Sequence, residues 1–304
     1  MDVSVGSELG IWQRYNSDAH ASESIAPNVT FLGVADGFGA MVGGASAAVL
    51  ALGAVRDYVR RRQRLGAFGP RVSPSGVRSL LLGALDYANA RLYAQSGSHE
   101  DFVAGGTSLT AVLLVGHHAF VGHVGDARAY LSRLGRLEPL TVDDAVFTDA
   151  VASAKSPLPS RPRPRSLLWR SLGTQAKLEA SIADIELLAG DQLVLCTDGV
   201  HRCVSPAEMN EALAAGDSAS EVAARLFTLA RTRGNLDNAT LIVGRELLVP
   251  TLFPASRTRS EGSFRSAVAL FMLVCAAVFL GFFVYRASTF DPSAATETYA
   301  GEHH

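Results

Sequence analysis

Four aspartates stand beside short apolar runs, each next to a glycine or an asparagine. They are Asp36 in Val34-Ala35-Asp36-Gly37, Asp126 in His123-Val124-Gly125-Asp126, Asp198 in Leu195-Cys196-Thr197-Asp198-Gly199, and Asp237 in Leu236-Asp237-Asn238-Ala239-Thr240. A strand that ends in Asp-Gly offers one carboxylate and one backbone carbonyl to the same point. Several such strands side by side gather carboxylates into one pocket, where like charges raise one another's pKa unless a cation neutralises them. Hard divalent ions such as Mg²⁺ and Mn²⁺ prefer oxygen donors of this kind. The pattern points to a metal-centred hydrolase. Taken singly, each Asp-Gly is also an ordinary strand-end turn.

The elements that must position these acids read as one mixed domain over residues 1–248. Phe31-Leu32-Gly33-Val34-Ala35 is a short apolar strand, and residues 45–62 follow with helical spacing. The run Arg60-Arg61-Arg62-Gln63-Arg64 suits a solvated last helical turn, where cations oppose the dipole. Residues 74–95 form a second long helix, with Leu80, Leu81, Ala84, Leu85, Ala88 and Leu92 on its apolar face and Ser73 or Ser75 as its cap. Residues 108–115 and 119–124 read as strands joined at Gly116-His117-His118, and 129–132 and 137–140 as another pair around Leu134-Gly135-Arg136. Residues 144–165 lack periodicity and carry Pro157, Pro159, Pro162 and Pro164, which predicts an irregular flap. Ala189-Gly190-Asp191 is a turn before a hydrophobic strand. Ser205-Pro206-Ala207-Glu208 is a capping box with proline at the first helical position, and Ser218 with Glu221 repeats the pattern. Residues 239–243 form a last strand. Runs of strands separated by long helices, without strict alternation, predict an α+β layered fold.

Composition narrows the field. The 304 residues are 48% hydrophobic and 18% charged, enough for a sizeable core, and the net charge of −2 gives no case for nucleic-acid binding. Three cysteines, Cys196, Cys203 and Cys275, have no zinc-like spacing. Residues 267–285 carry no charge. As a helix they would extend roughly 28 Å, close to the ~30 Å of a hydrocarbon core. Arg257, Arg259 and Arg265 precede this segment, while Arg286 and then Asp291, Glu297 and Glu302 follow it, so the positive-inside rule puts the large N-terminal part in the cytoplasm. Residues 1–10 hold two acids and no apolar run, so no signal peptide is expected there.

In order, the motifs resemble the metal-dependent protein serine/threonine phosphatases of type 2C, the PPM family. The matching blocks are Asn16-Ser17-Asp18-Ala19, Val34-Ala35-Asp36-Gly37-Phe38-Gly39, Gly105-Gly106-Thr107-Ser108, His123 to Tyr130, Leu140-Thr141-Val142-Asp143, Arg170-Ser171-Leu172-Gly173, Gly190-Asp191 through Thr197-Asp198-Gly199, and Asp237-Asn238-Ala239-Thr240. Together they cover roughly residues 7 to 247.

The resemblance implies a four-layer α-β-β-α sandwich of two antiparallel sheets flanked by helices, with a metal site in the cleft at one end. It implies two Mn²⁺ or Mg²⁺ ions, with a third, weaker one in many bacterial relatives. Asp36 would bridge the pair, the Gly37 carbonyl would bind the first ion, and Asp198 and Asp237 the second. Asp126 with Asp198 would hold the third, and Asp18 would act through water. A metal-activated water would then attack the phosphorus in line, without a protein nucleophile. Asp36, Asp198, Asp237 and Arg14 are the catalytic candidates.

The chain departs from the family pattern in places. The family's phosphate-gripping arginine falls at Gln13, with Arg14 one residue along, and Ser17 stands where the family has glutamate. Phe38 stands where animal relatives carry a histidine. Asp143-Asp144 replaces Asp-His. Among the histidines, His123 is expected to be structural, His117 and His118 to form a hairpin tip, and His201 to lie near the cleft.

The resulting expectation is a phosphatase domain over 1–248, a linker over 249–266, a transmembrane helix over 267–285 and a short extracytoplasmic tail over 286–304. The protein would be a single-pass protein of the inner membrane, acting on phosphorylated proteins in signalling opposite a serine/threonine kinase. The alternative is a pseudophosphatase that binds or scaffolds phosphoproteins at the membrane, a reading that Gln13 and Ser17 motivate.

Overall fold

The computed structural model describes residues 1–39, 46–69, 72–96, 105–148 and 165–245. The described residues lie within one compact unit, Met1–Pro254. The expected linker, membrane span and tail lie outside them. Among the described residues, no helix is long and apolar enough to cross a membrane.

Two five-stranded antiparallel sheets form the centre. One runs β1 (Asp2–Glu8), β12 (Ala239–Arg245), β11 (Gln192–Cys196), β6 (Arg128–Arg133), β7 (Arg136–Pro139). The other runs β10 (Ser181–Glu186), β5 (His118–Val124), β4 (Gly106–Val115), β3 (Val29–Phe38), β2 (Asp18–Ala26). The period of two along each strand sorts its side chains into layers. Leu32 and Val34 of β3, Val112 and Leu114 of β4, Leu193 and Leu195 of β11 and Ile242 of β12 interlock in one cluster between the sheets. The alternate residues Phe31, Ala35, Leu109, Ala111 and Leu113 face outward and pack under α1 (Ala47–Arg64) and α2 (Pro74–Ser96). On the other side, Val194, Cys196, Leu241 and Val243 meet α4 (Pro206–Ala215) and α5 (Ala219–Thr232). The central strands are therefore apolar on both faces, as the unbroken buried run of β4 shows. Burial of each Val, Leu, Ile or Phe side chain among these contributes about 1.5–3 kcal/mol.

The helices begin where their caps dictate. Ser46 accepts from the Val49 N–H, Ser73 from the Gly76 N–H, and Ser205 with Glu208 forms the full capping box with Pro206 at the first position. The second expected box is shifted by one residue. Ser218 accepts from the Glu221 N–H, but the Glu221 carboxylate reaches back to the N–H of Asp217. Arg61, Arg62 and Arg64 occupy the last turn of α1, and Arg60 pairs with Glu23 of β2.

Three strands gave no clear sequence signal: β1, β2 and β10. Each is an edge strand, or lies on the sheet face where polar residues stay half-exposed. Part of the region read as an irregular flap forms regular structure. Residues β8 (Ala145–Thr148) and β9 (Arg165–Leu168) pair antiparallel in a small separate sheet, and the proline-bearing stretch between them lies outside the described residues. Backbone pairing across a long connection leaves no local periodicity to read.

Candidate metal centre

The acids come together because both sheets end at the same place. Asp36 lies near the end of β3, where Asp18 of β2 is its cross-strand partner on one side and Ser108 of β4 on the other. From the opposite sheet, β11 ends at Cys196 and passes through Thr197 into the short helix α3 (Asp198–His201), so Asp198 opens that helix. The turn Asn235-Leu236-Asp237-Asn238 leads into β12 beside it. Two glycines allow these backbones to touch. A Cβ at Gly199 would lie 1.9 Å from the carbonyl oxygen of Asn238, and one at Gly37 would lie 2.9 Å from the carbonyl of Ser17 and 3.0 Å from the Ala48 nitrogen. Only glycine fits at such approaches.

A hydrogen-bond network joins the two sheets under the acids. Thr197 Oγ1 donates to Asp18 Oδ2 at 2.8 Å and accepts from the Thr240 N–H at 3.0 Å. Asn238 Nδ2 donates to Ser17 Oγ at 3.0 Å, its Oδ1 accepts from the Gly10 N–H at 3.1 Å, and its own N–H donates to Asp237 Oδ1 at 2.9 Å. The Asp126 carbonyl accepts from His201 Nε2 at 2.9 Å. Burial pushes the His201 pKa down to about 3, so its imidazole is neutral at physiological pH.

The acids feel one another strongly. Burial raises Asp36 well above the ordinary carboxylate range, and the charges of Asp198, Asp18, Asp237 and Asp126 push it further. Burial raises Asp198 to about 7, with Asp126, Asp237 and Asp18 adding to the rise while Arg202 opposes it. Asp18 is raised to about 6, again chiefly by burial, against hydrogen bonds from Thr240 and Thr197. Mutual influence of this kind requires short separations.

Cationic and amide partners offset part of that charge. Arg202 Nη2 lies 2.9 Å from Asp198 Oδ2 and 3.3 Å from Asp126 Oδ2. Gln13 Nε2 donates to Asp237 Oδ1 at 2.7 Å. Among the described residues, no three His, Cys, Asp or Glu side chains stand close enough to hold a metal ion as they are. The donor set nonetheless fits a hard divalent cation. It consists of oxygens alone, burial and then neighbouring charge raise Asp36, Asp198 and Asp18, and Asp18 Oδ1 and Asp198 Oδ1 are buried without a hydrogen-bond partner. An unpaired buried carboxylate oxygen is costly, and a cation relieves it.

Residues 12–241 match the family model described as protein phosphatase 2C. The chain belongs to the protein phosphatase 2C family. The serine/threonine protein phosphatase PstP of Mycobacterium tuberculosis is 33% identical over 231 residues, which cover 74% of this chain and 42% of that protein. The chain therefore spans less than half of that relative's length. The serine/threonine phosphatase stp of Listeria monocytogenes serotype 4b is 27% identical over 251 residues, covering 81% of this chain and 97% of that one. A crystal structure of the catalytic domain of PstP in complex with two manganese ions has the same fold, with a TM-score of 0.62 at 27% identity over 79% of this chain and 96% of that chain. The two antiparallel sheets flanked by helices are those of protein phosphatase 2C.

Within this member of the family, Asp18, Asp36, Asp126, Asp198 and Asp237 are brought into electrostatic reach of one another. Gly37 lies buried beside Asp36. Arg14 stays exposed, and among the described residues it makes no hydrogen bond or ion pair. Arg128 does not neutralise Asp126, because it forms two 2.8 Å bonds to Asp143. His123 is structural, with Nδ1 2.9 Å from Thr110 Oγ1 and Nε2 3.0 Å from the Val142 carbonyl. Asp144 and Arg170 pair with each other, and Asp144 Oδ2 accepts from the Gly125 N–H at 3.1 Å, which anchors the turn before Asp126. Sequence reading missed Thr197 and Arg202. Thr197 carries only a β-branched signal inside a motif, and Arg202 is legible through its spacing four residues after Asp198 on a helix.

Proposed function

We propose that the chain is a membrane-anchored, cytoplasm-facing protein phosphatase that removes phosphate from serine and threonine of phosphorylated proteins, using Mn²⁺ or Mg²⁺. The observation that carries the reading is the convergence of acids from both sheets around Asp36 in a chain of the protein phosphatase 2C family. Asp36, the Gly37 carbonyl, Asp198 and Asp237 would hold the ions, with Asp126 and Asp18 beside them. When bound, a pair of such ions supplies an activated water and neutralises charge on the phosphoryl oxygens.

The chain's own residues contribute orientation and charge. Thr197 fixes Asp18 through its hydroxyl, and Asn238 fixes Asp237 through its N–H. The neutral His201 holds the Asp126 backbone and is not a proton donor to a leaving group at physiological pH, because its second proton is already lost. Arg14, exposed beside the Asp237 turn that Gln13 contacts, is the proposed phosphate clamp. The uncharged segment 267–285, with arginines on its N-terminal side, supports a single-pass anchor in the inner membrane, and a serine/threonine kinase of the same cell is the proposed opponent.

The full chain, assayed with a phosphothreonine peptide, should release phosphate with Mn²⁺ and lose that activity in chelator and in Asp36→Asn. The Gln13 bond to Asp237 favours one second reading, a scaffold that binds phosphoproteins without cleaving them. Phosphoprotein binding with no Mn²⁺ binding and no turnover would establish the scaffold instead.

A further inference from the structure

The structure assigns Arg202 the role of a resident cation between Asp126 and Asp198, so that this chain holds two divalent ions and no third. Asp126 and Asp198 are the two acids that the family resemblance gives to a third, weaker ion. Here a guanidinium already lies between them, 3.3 Å from Asp126 Oδ2 and 2.9 Å from Asp198 Oδ2. The inference rests on the metal-centre reading above and deepens it.

The placement is built into the fold. Asp198 starts α3 and Arg202 is the C-cap of the same short helix, with the Arg202 N–H bonded to the Asp198 carbonyl at 2.9 Å. The i, i+4 spacing puts the two side chains on one face. The Asp126 backbone is held from the same helix by His201 Nε2, at 2.9 Å from its carbonyl, while the Asp126 carboxylate meets Arg202. The pair of acids is nearly buried, with side-chain exposures of 5% and 8%, whereas Arg202 retains 30%.

Charge decides the stoichiometry. An arginine stays protonated at any working pH. A divalent ion entering between Asp126 and Asp198 would have to displace that guanidinium or sit against it. Ligand capacity remains, because Asp198 Oδ1 has no hydrogen-bond partner and the Arg202 contact uses Oδ2. Asp198 can therefore serve a divalent ion through one oxygen and Arg202 through the other.

The test counts ions on the full chain by calorimetric titration with Mn²⁺ and by metal analysis after equilibrium dialysis. The parent chain is expected to bind two. Arg202→Met is expected to gain a third, weaker site, and the added Asp126→Asn should remove that site while leaving two. Metal-free Arg202→Met should also melt at a lower temperature than the parent, because two buried acids lose a cationic neighbour, and saturating Mn²⁺ should close the gap. Should Arg202→Met fail to fold, Asp126→Asn in the parent chain keeps the question open to decision, since its count is expected to stay at two. Three ions on the parent chain, an unchanged count in folded Arg202→Met, or a loss of one ion in Asp126→Asn overturns the inference alone. Fewer than two ions on the parent chain overturns the metal-centre reading, and this inference with it.

Discussion

Thr197 Oγ1 donates to the carboxylate of Asp18 at 2.8 Å, a bond between residues 179 positions apart that ties the ends of the two sheets together. The same hydroxyl accepts from the Thr240 N–H. Both partners are buried. Thr197→Val keeps the shape and removes the hydroxyl, leaving a buried acid and a buried N–H without their partner. The expected loss of stability is about 1–3 kcal/mol. Urea unfolding of the metal-free chain reads it, and a change below about 0.5 kcal/mol would show that the bond carries no net stabilisation.

Asp36 stands among four other acids, whose charges oppose its own in the metal-free chain. Asp36→Asn removes that charge and keeps the volume. The substitution is expected to lower phosphatase activity by about 10²–10³-fold or more while raising the melting temperature of the metal-free protein. Opposite signs on activity and stability mark a residue kept for function at a cost in folding. A drop in both would indicate that Asp36 is a structural acid.

The ordered aspartate blocks made the acids legible in the sequence, because each block couples a turn to a strand end, whereas the sandwich that carries them was implied only by the family resemblance, the elements themselves giving no more than an α+β layered fold. The core layers were legible for the same reason: β3, β4, β11 and β12 are apolar runs with β-branched residues. Strands β1, β2 and β10 were not, since half-exposed strands such as Asp18–Ala26 mix Ser, Glu and Ala without a clean period. The partners of the acids were hardest to read. Gln13 and Asp237 meet across 224 positions, and nothing local in either segment records the pairing.

The raised acids make stability depend on pH. Asp198 and Asp18 titrate near 7 and 6 in the folded chain, against 3.8 for an ordinary aspartate. Between those values the folded chain binds more protons than the unfolded chain. Their contribution to stability is therefore greatest below an ordinary aspartate's pKa and is lost as pH rises toward 7. A bound divalent cation offsets the charge that causes the loss. Thermal melts in chelator should fall between about pH 4 and pH 7, and Mn²⁺ should flatten that fall. A pH dependence that Mn²⁺ leaves unaltered would mean that the raised acids lie away from the ions.

Gly199 sets the distance between the Asp198 helix and the Asp237 turn. The added Cβ of an alanine would stand 1.9 Å from the Asn238 carbonyl oxygen and 2.8 Å from its carbon, both backbone atoms that cannot rotate away. Gly199→Ala must push the two segments apart. Overpacking of this kind costs typically about 1–3 kcal/mol, occasionally more, and a shift of about 1 Å between groups that act together can lower a rate by about 10²-fold. The variant is expected to fold with reduced stability and to bind Mn²⁺ more weakly, because Asp198 and Asp237 no longer face the same point. Calorimetry on the folded fraction separates the two effects. Parent-like Mn²⁺ affinity in a destabilised Gly199→Ala chain would show that the contact supports the fold without setting the spacing of the acids.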